Sequence, residues 1–207
     1  MRYLPILFNT DMVRAILNGK KTVTRRCVKP KSKNACGFYV TIRKSDNAFM
    51  GVYDYDENEM QFDSPQTQPA YPGDILYVRE TFVQPARHIF WYKADEKPWL
   101  DSKNILWKPS IHMPKEAARI WLKVTDVRVE RLQDITEEQA SKEGAIDNRG
   151  FIHSPDNEYT KIHTAKEHFI DIWNSTVKKS DLDTYGWDAN PWVWVIEFER
   201  CEKSSRS

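Results

Sequence analysis

Gly19-Lys20-Lys21-Thr22-Val23-Thr24-Arg25-Arg26 joins a short amphipathic helix to a β-strand, and the rest of the chain is read outward from it. Upstream, Thr10 is placed to cap a helix over 10–18 whose Met12, Val13, Ile16 and Leu17 share one face. Gly19 stops that helix, because glycine enters the left-handed conformation without a Cβ clash. From Thr22 onward the strand period of two sends Thr22, Thr24 and Arg26 to one side and Val23 and Arg25 to the other. With Val23 toward the core, Thr24 and Arg26 look the opposite way, and Lys21 sits at the turn just before them. An amine, a hydroxyl and a guanidinium at a strand entrance suit a polar ligand.

The 207 residues fit a single domain over 1–203, with inserted loops near 31–71, 88–118 and 148–163 and a disordered tail at 204–207. A formal charge of +1 argues against broad, sequence-blind binding of duplex nucleic acid, which needs many uncompensated basic side chains. It leaves room for one nucleoside or a short single strand in a local pocket. Aromatic residues make up 13% of the chain, with eight tryptophans, enough to place some rings outside the core for stacking on bases. No apolar run approaches the roughly 18 residues that cross a bilayer, and no signal-peptide pattern opens the chain. A cytoplasmic protein without a membrane partner is expected. Cys27, Cys36 and Cys201 are odd in number and widely spaced, so neither a disulfide framework nor a metal site follows, and no cofactor is expected.

Strands are expected at 5–8, from Thr22 toward Pro30, at 37–43 and 48–55 (a hairpin through Ser45-Asp46-Asn47), at 75–79, at 88–93, and along 119–132. In the last of these the apolar phase runs Ile120, Leu122, Val124, then Val127, Val129. That change of parity near Thr125-Asp126 predicts a β-bulge. Thr136 with Gln139, and Thr164 with Glu167, have capping-box spacing and open two further helices. The first carries Glu143 beside the glycine that ends it. The second places Ala165, Phe169, Ile172 and Trp173 on one face. The final strand, 192–200, is apolar on both sides at its start and should be central, with Trp192 and Trp194 in the core. Many strands, few short helices and no regular βαβ alternation give an α+β fold on a small antiparallel or mixed barrel.

With those residues in view, the chain resembles the ASCH family of the PUA-like superfamily, and more closely the enlarged ASCH proteins of phage and prophage genomes. The resemblance is carried by Pro5–Phe8, Gly19–Arg26, Gly73–Glu80, Pro109–Pro114, Leu132–Thr136 and Trp187–Trp192. It implies a PUA-like pseudo-barrel with a cleft beside the first helix, and a role in RNA or modified-nucleoside chemistry. Smaller members of the family are amidohydrolases that remove the acetyl group of N4-acetylcytidine. Their lysine and threonine fall on Lys21 and Thr24, and their glutamate on Glu143. The inserts at 31–71 and 88–118 are where this chain departs from them.

Amide hydrolysis needs a nucleophile, a base and a group that steadies the oxyanion. Thr24 is the candidate nucleophile, Lys21 and Glu143 the proton carriers, and Arg26 the oxyanion partner. A neutral Lys21 needs burial or a nearby cation such as Arg25 or Arg26, whereas Glu143 favours the ammonium form. Further candidates for contact with substrate are Glu80, Trp107 and His112, and Trp99 is a second ring for stacking. Plainer roles stand beside these. Lys21 could complement a helix dipole and Thr24 could be an ordinary strand residue. Adjacent Arg79 and Glu80 point to opposite faces, which suits a structural ion pair for at least one of them, and His112 could be a buried, hydrogen-bonded histidine. The functions in view are an amidohydrolase of an acylated nucleobase or nucleoside, a non-catalytic RNA-binding module, and a ribonuclease.

Overall fold

A computed structural model describes residues 1–29, 35–45, 49–55, 68–95, 97, 105–149 and 163–203. Its strands are β1 (Tyr3–Leu7), β2 (Val23–Cys27), β3 (Gly37–Ile42), β4 (Phe49–Tyr55), β5 (Ile75–Arg79), β6 (Phe82–Ala86), β7 (Ile89–Tyr92), β8 (Trp121–Arg131) and β9 (Trp192–Cys201). The helices are α1 (Thr10–Leu17), α2 (Glu137–Lys142), α3 (Ala165–Thr176) and the single turn α4 (Leu182–Tyr185). The fold is mixed α+β and dominated by sheet. Five strands pair in the order β1-β5-β8-β9-β2, with β1 parallel to β5 and the other pairs antiparallel. β3–β4 and β6–β7 are separate two-stranded ribbons.

β9 is central, as its doubly apolar start requires. Trp194, Ile196 and Phe198 join Val13, Ile16, Leu76 and Val78 in one core, while Val193 and Val195 join Val23, Ala140, Phe169 and Trp173 in another. Each such fully buried side chain contributes roughly 1.5–3 kcal/mol. The predicted bulge is present: the β8–β9 register shifts between Val124 and Asp126, so Leu122 and Val124 before it and Val127 after it all bury. Val52 of β4 is buried in the first core, which ties the β3–β4 hairpin to the main sheet. The expectations for a loop at 148–163, for Trp99 and for the tail at 204–207 fall mostly or wholly outside the described residues.

Two local readings change. The cap of α1 is Asn9 rather than Thr10: the Asn9 backbone is extended, and its side-chain oxygen accepts from the Met12 N–H at 2.8 Å. The sheet also stays open, since no strand pairing joins β1 to β2 among the described residues. The outer edge of β2 is already engaged. Lys142 O accepts from Thr22 N, Lys21 Nζ takes the Val23 carbonyl, and Arg26 Nη1 takes the Arg25 carbonyl. The sheet curls far enough for Arg26 Nη2 to reach Leu7 O of β1 at 3.0 Å, so one guanidinium spans the gap between its two edges.

The Gly73-Asp74 turn is structural. Gly73 has φ +89, and the Asp74 carboxylate accepts from Arg2 N at 2.8 Å, Arg2 Nε at 2.9 Å and Tyr71 N at 3.0 Å. The side-chain hydrogen bond from Arg2 is the main cause that holds Asp74 down at about 2. A depressed carboxylate contributes stability that is present above its unfolded value and lost as pH falls through the folded one. Because Arg2 is half exposed, the contribution is about 1 kcal/mol. Asp74→Asn should therefore be less stable than the parent by about that amount in urea unfolding at pH 7. The two proteins should converge near pH 2.

Candidate active site

Three segments far apart in sequence meet at the start of β2. Gly19, with φ +69, ends α1 and lets Lys20 N and Lys21 N both bond to Ala15 O. At the other side, Thr136 and Gln139 form the expected capping box of α2, and Glu143 is that helix's C-cap. Gly144 follows with φ +92, and a Cβ there would lie 2.9 Å from Ala15 Cβ and 3.4 Å from Lys21 Cβ. Only glycine allows so close a pass, and the pass brings Glu143 into a β-bridge with Lys21.

The Lys21 side chain is wholly buried, and its Nζ lies 2.6 Å from Glu143 Oε2, 2.8 Å from Glu143 O and 2.8 Å from Val23 O. Three acceptors match the three N–H bonds of an ammonium ion, whereas a neutral amine has only two. Burial nevertheless pulls Lys21 below the ordinary lysine value. Glu143 opposes that pull, and Arg26 and Arg25 reinforce it. The three acceptors favour the ammonium form, and burial loosens its hold on the proton. Glu143 Oε1 accepts from Arg25 Nη1 at 3.1 Å, and Arg25 Nη2 also reaches Glu130 and Gln139 at 3.1 Å each. Arg25, considered from sequence only as a cation near Lys21, is thus buried at the centre of the network.

Thr24 is 1% exposed, and its Oγ1 accepts from Arg26 Nη1 at 2.8 Å. Lys21 and Thr24 make no side-chain hydrogen bond to each other; Glu143 is the group Lys21 holds. Arg26 and Lys21 both lie over the Phe8 ring, at 5.3 and 5.6 Å from its centroid. β2 is covered on both faces here, so Val23, Thr24 and Arg25 are all buried rather than alternating between core and solvent.

A cavity of about 460 Å³ opens above these groups. Thr24, Arg25, Arg26 and Glu143 are part of its polar lining, Met12 of α1 forms one wall, and Phe169, Ile172 and Trp173 of α3 form another. α3 is held by its own capping box, and Trp173 Nε1 donates to Tyr185 O at 2.8 Å, fixing Tyr185 at the rim. A second cavity of about 380 Å³ lies between α1 and α3 and shares Glu143, Met12, Phe169 and Ile172 with the first.

Glu80, Trp107 and His112 line neither cavity. Glu80 is buried in a two-pronged ion pair with Arg119 at 2.9 and 3.0 Å, the structural pairing that its opposition to Arg79 allowed. Trp107 is half-buried in the segment before the Lys108–Phe82 bridge. His112 is exposed, so it is not the buried histidine its apolar neighbours suggested; a 3-10 turn between Pro109 and Pro114 carries it outward. Among the described residues no group of three or more His, Cys, Asp or Glu side chains could hold a metal, and no helix is long and apolar enough to cross a membrane. Comparison with family profiles, curated proteins and solved structures finds no match to this chain.

Proposed function

We propose that this chain is an ASCH-type amidohydrolase of PUA-like architecture that removes the acyl group from the exocyclic nitrogen of a modified nucleoside such as N4-acetylcytidine. The observation that carries the reading is the buried Lys21–Glu143 pair, whose Glu143 lines the same walled cavity as Thr24 while Lys21 stands behind it. Charges are seldom buried without a use, because desolvating both ions offsets much of their attraction. The curled five-stranded sheet, its edges spanned by Arg26, is the element that supports a PUA-like pseudo-barrel.

In this reading Thr24 Oγ1 forms a bond to the acyl carbon, and its proton passes to the Lys21–Glu143 pair. The oxyanion is steadied by Arg26, already aimed at Oγ1. The C–N bond then breaks as the Lys21–Glu143 pair returns that proton to the leaving nitrogen through Glu143, the member that lines the cavity. Water cleaves the Thr24 ester, releases the carboxylic acid and restores the hydroxyl. A lysine lowered by burial suits the donor step, since its proton leaves more readily than that of an exposed ammonium.

A ribonuclease gains little from the histidines. His163 and His168 stack with centroids 4.7 Å apart, and the Nδ1 atom of each faces main chain, so they do not flank a space for a phosphodiester. The test is incubation of the purified protein with N4-acetylcytidine and, separately, with a short RNA. Acetate release with intact RNA is the expected result. RNA retention or shortening without acetate overturns the hydrolase.

A further inference from the structure

We infer that the mouth of the cavity is a phosphate subsite, so that the preferred substrate is a phosphorylated nucleotide rather than the bare nucleoside. The inference rests on the nucleoside reading above and concerns the end of the cavity remote from Thr24. β2 leaves the site heading outward, and Lys29, five residues beyond Thr24, lies at most about 17 Å along the chain from it. Lys29 and Lys178, the latter lying two residues beyond the end of α3, both line the cavity with Tyr185. Lys29 Nζ lies over the Tyr185 ring, 5.3 Å from its centroid, which holds the charge at the rim.

Neither Lys29 nor Lys178 makes an ion pair with another described residue, in contrast to Lys21 and Arg25 deeper in. Across the whole chain, 31 basic residues are balanced by 30 acidic ones, so two unpaired lysines converging on one cavity are a local excess. The opposing charge at the mouth is Asp181, whose Oδ1 accepts from Ser180 Oγ at 2.7 Å. A base with its exocyclic nitrogen at Thr24 directs its ribose outward between β2 and α3. The 5′ oxygen then faces the lysines. The anion they suit is the phosphate there, whether it belongs to a mononucleotide or to the backbone of an RNA strand.

Trp173 lines the cavity, so quenching of tryptophan fluorescence reports binding without requiring turnover. The ligands are cytidine, cytidine 5′-monophosphate, a short cytidine-containing oligonucleotide and pyrophosphate, each at low and at high salt. The monophosphate should bind about tenfold more tightly than cytidine at low salt, and high salt should shrink that ratio. The ratio should collapse in the Lys29→Ala/Lys178→Ala double variant and grow in Asp181→Asn. Oligonucleotide affinity well above that of the monophosphate identifies the strand as the source of the phosphate, and equal affinity identifies the mononucleotide. Equal binding of cytidine and its monophosphate overturns the subsite while leaving a nucleoside hydrolase standing. Lysine-dependent quenching by pyrophosphate without any response to cytidine keeps the anion site and removes the nucleoside reading. No quenching by any of the four ligands overturns both.

Discussion

Glu143→Gln is expected to destabilise the fold by about 3 kcal/mol at neutral pH, because it leaves Lys21 and Arg25 buried without the carboxylate that joins them. The loss should also depend on pH in a definite direction. Glu143 is the main influence raising Lys21, so its removal lets burial, Arg26 and Arg25 lower that lysine further. The unfolded chain, with an ordinary lysine, then binds more protons than the folded one in the window between the lowered value and about 10.5. Stability rises with pH wherever that holds. The deficit of the variant should therefore be largest at neutral pH and shrink as pH rises through that window, since the lysine of the variant gives up its proton before that of the parent. Urea unfolding of both proteins at pH 7 and pH 10 measures it. A deficit below about 1 kcal/mol at pH 7, or one equal at both pH values, would mean that residue 21 does not carry the charge its three acceptors imply.

What could be read from sequence and what could not divide along a physical line. Features set by neighbours a few residues away were legible. The capping boxes at Thr136 and Thr164, the left-handed Gly19 and the bulge near Asp126 depend on local spacing, and each is present. The central place of β9 was legible too, since apolar residues on both sides of a strand need cover on both faces. The burial of Arg25 was not. Its partners Glu130, Gln139 and Glu143 lie 105, 114 and 118 residues away, and no period in the sequence joins them. Strand alternation sets Arg25 on the Val23 face, which Ala140, Phe169 and Trp173 cover, but it cannot supply the distant acceptors that allow a guanidinium to be buried there. Glu80 shows the same limit, because the ion pair that occupies it comes from Arg119 across the sheet. His112 was misread because apolar neighbours usually mean burial, whereas two prolines here force a tight outward turn.

Arg25 also bears on how firmly the site is held. Its Nε is buried without a protein hydrogen bond, while its two Nη atoms serve three acceptors. A guanidinium oriented by three side chains from β8 and α2 has little freedom, so Glu143 is fixed from one side by Arg25 and from the other by Lys21. Such a carboxylate loses little conformational entropy when substrate arrives, which is the condition for groups that act in concert.

Thr24→Ala separates chemistry from scaffold. The substitution removes one hydroxyl that accepts from Arg26, and Arg26 keeps its bonds to the carbonyls of Arg25 and Leu7. The stability cost should therefore be only about 1 kcal/mol, and the cavity walls should still bind ligand. Turnover is another matter. If Oγ1 forms the bond to the acyl carbon, its loss should lower acetate release from N4-acetylcytidine by roughly a thousandfold or more, since the other hydroxyls lining the cavity, those of Thr176 and Tyr185, belong to α3 and α4 and not to the strand that carries Arg25 and Arg26. Thr24→Ser keeps the hydroxyl and should stay within about tenfold of the parent, losing only the methyl group that helps fix the rotamer. The pair of variants distinguishes a nucleophile from a packing residue. A merely structural threonine would give two variants ranked by stability, with turnover following it. A nucleophile gives nearly equal stability and very different turnover. An alanine variant that releases acetate at the parent rate would leave water as the attacking group and Glu143, poised between Lys21 and Arg25, as the residue that directs it.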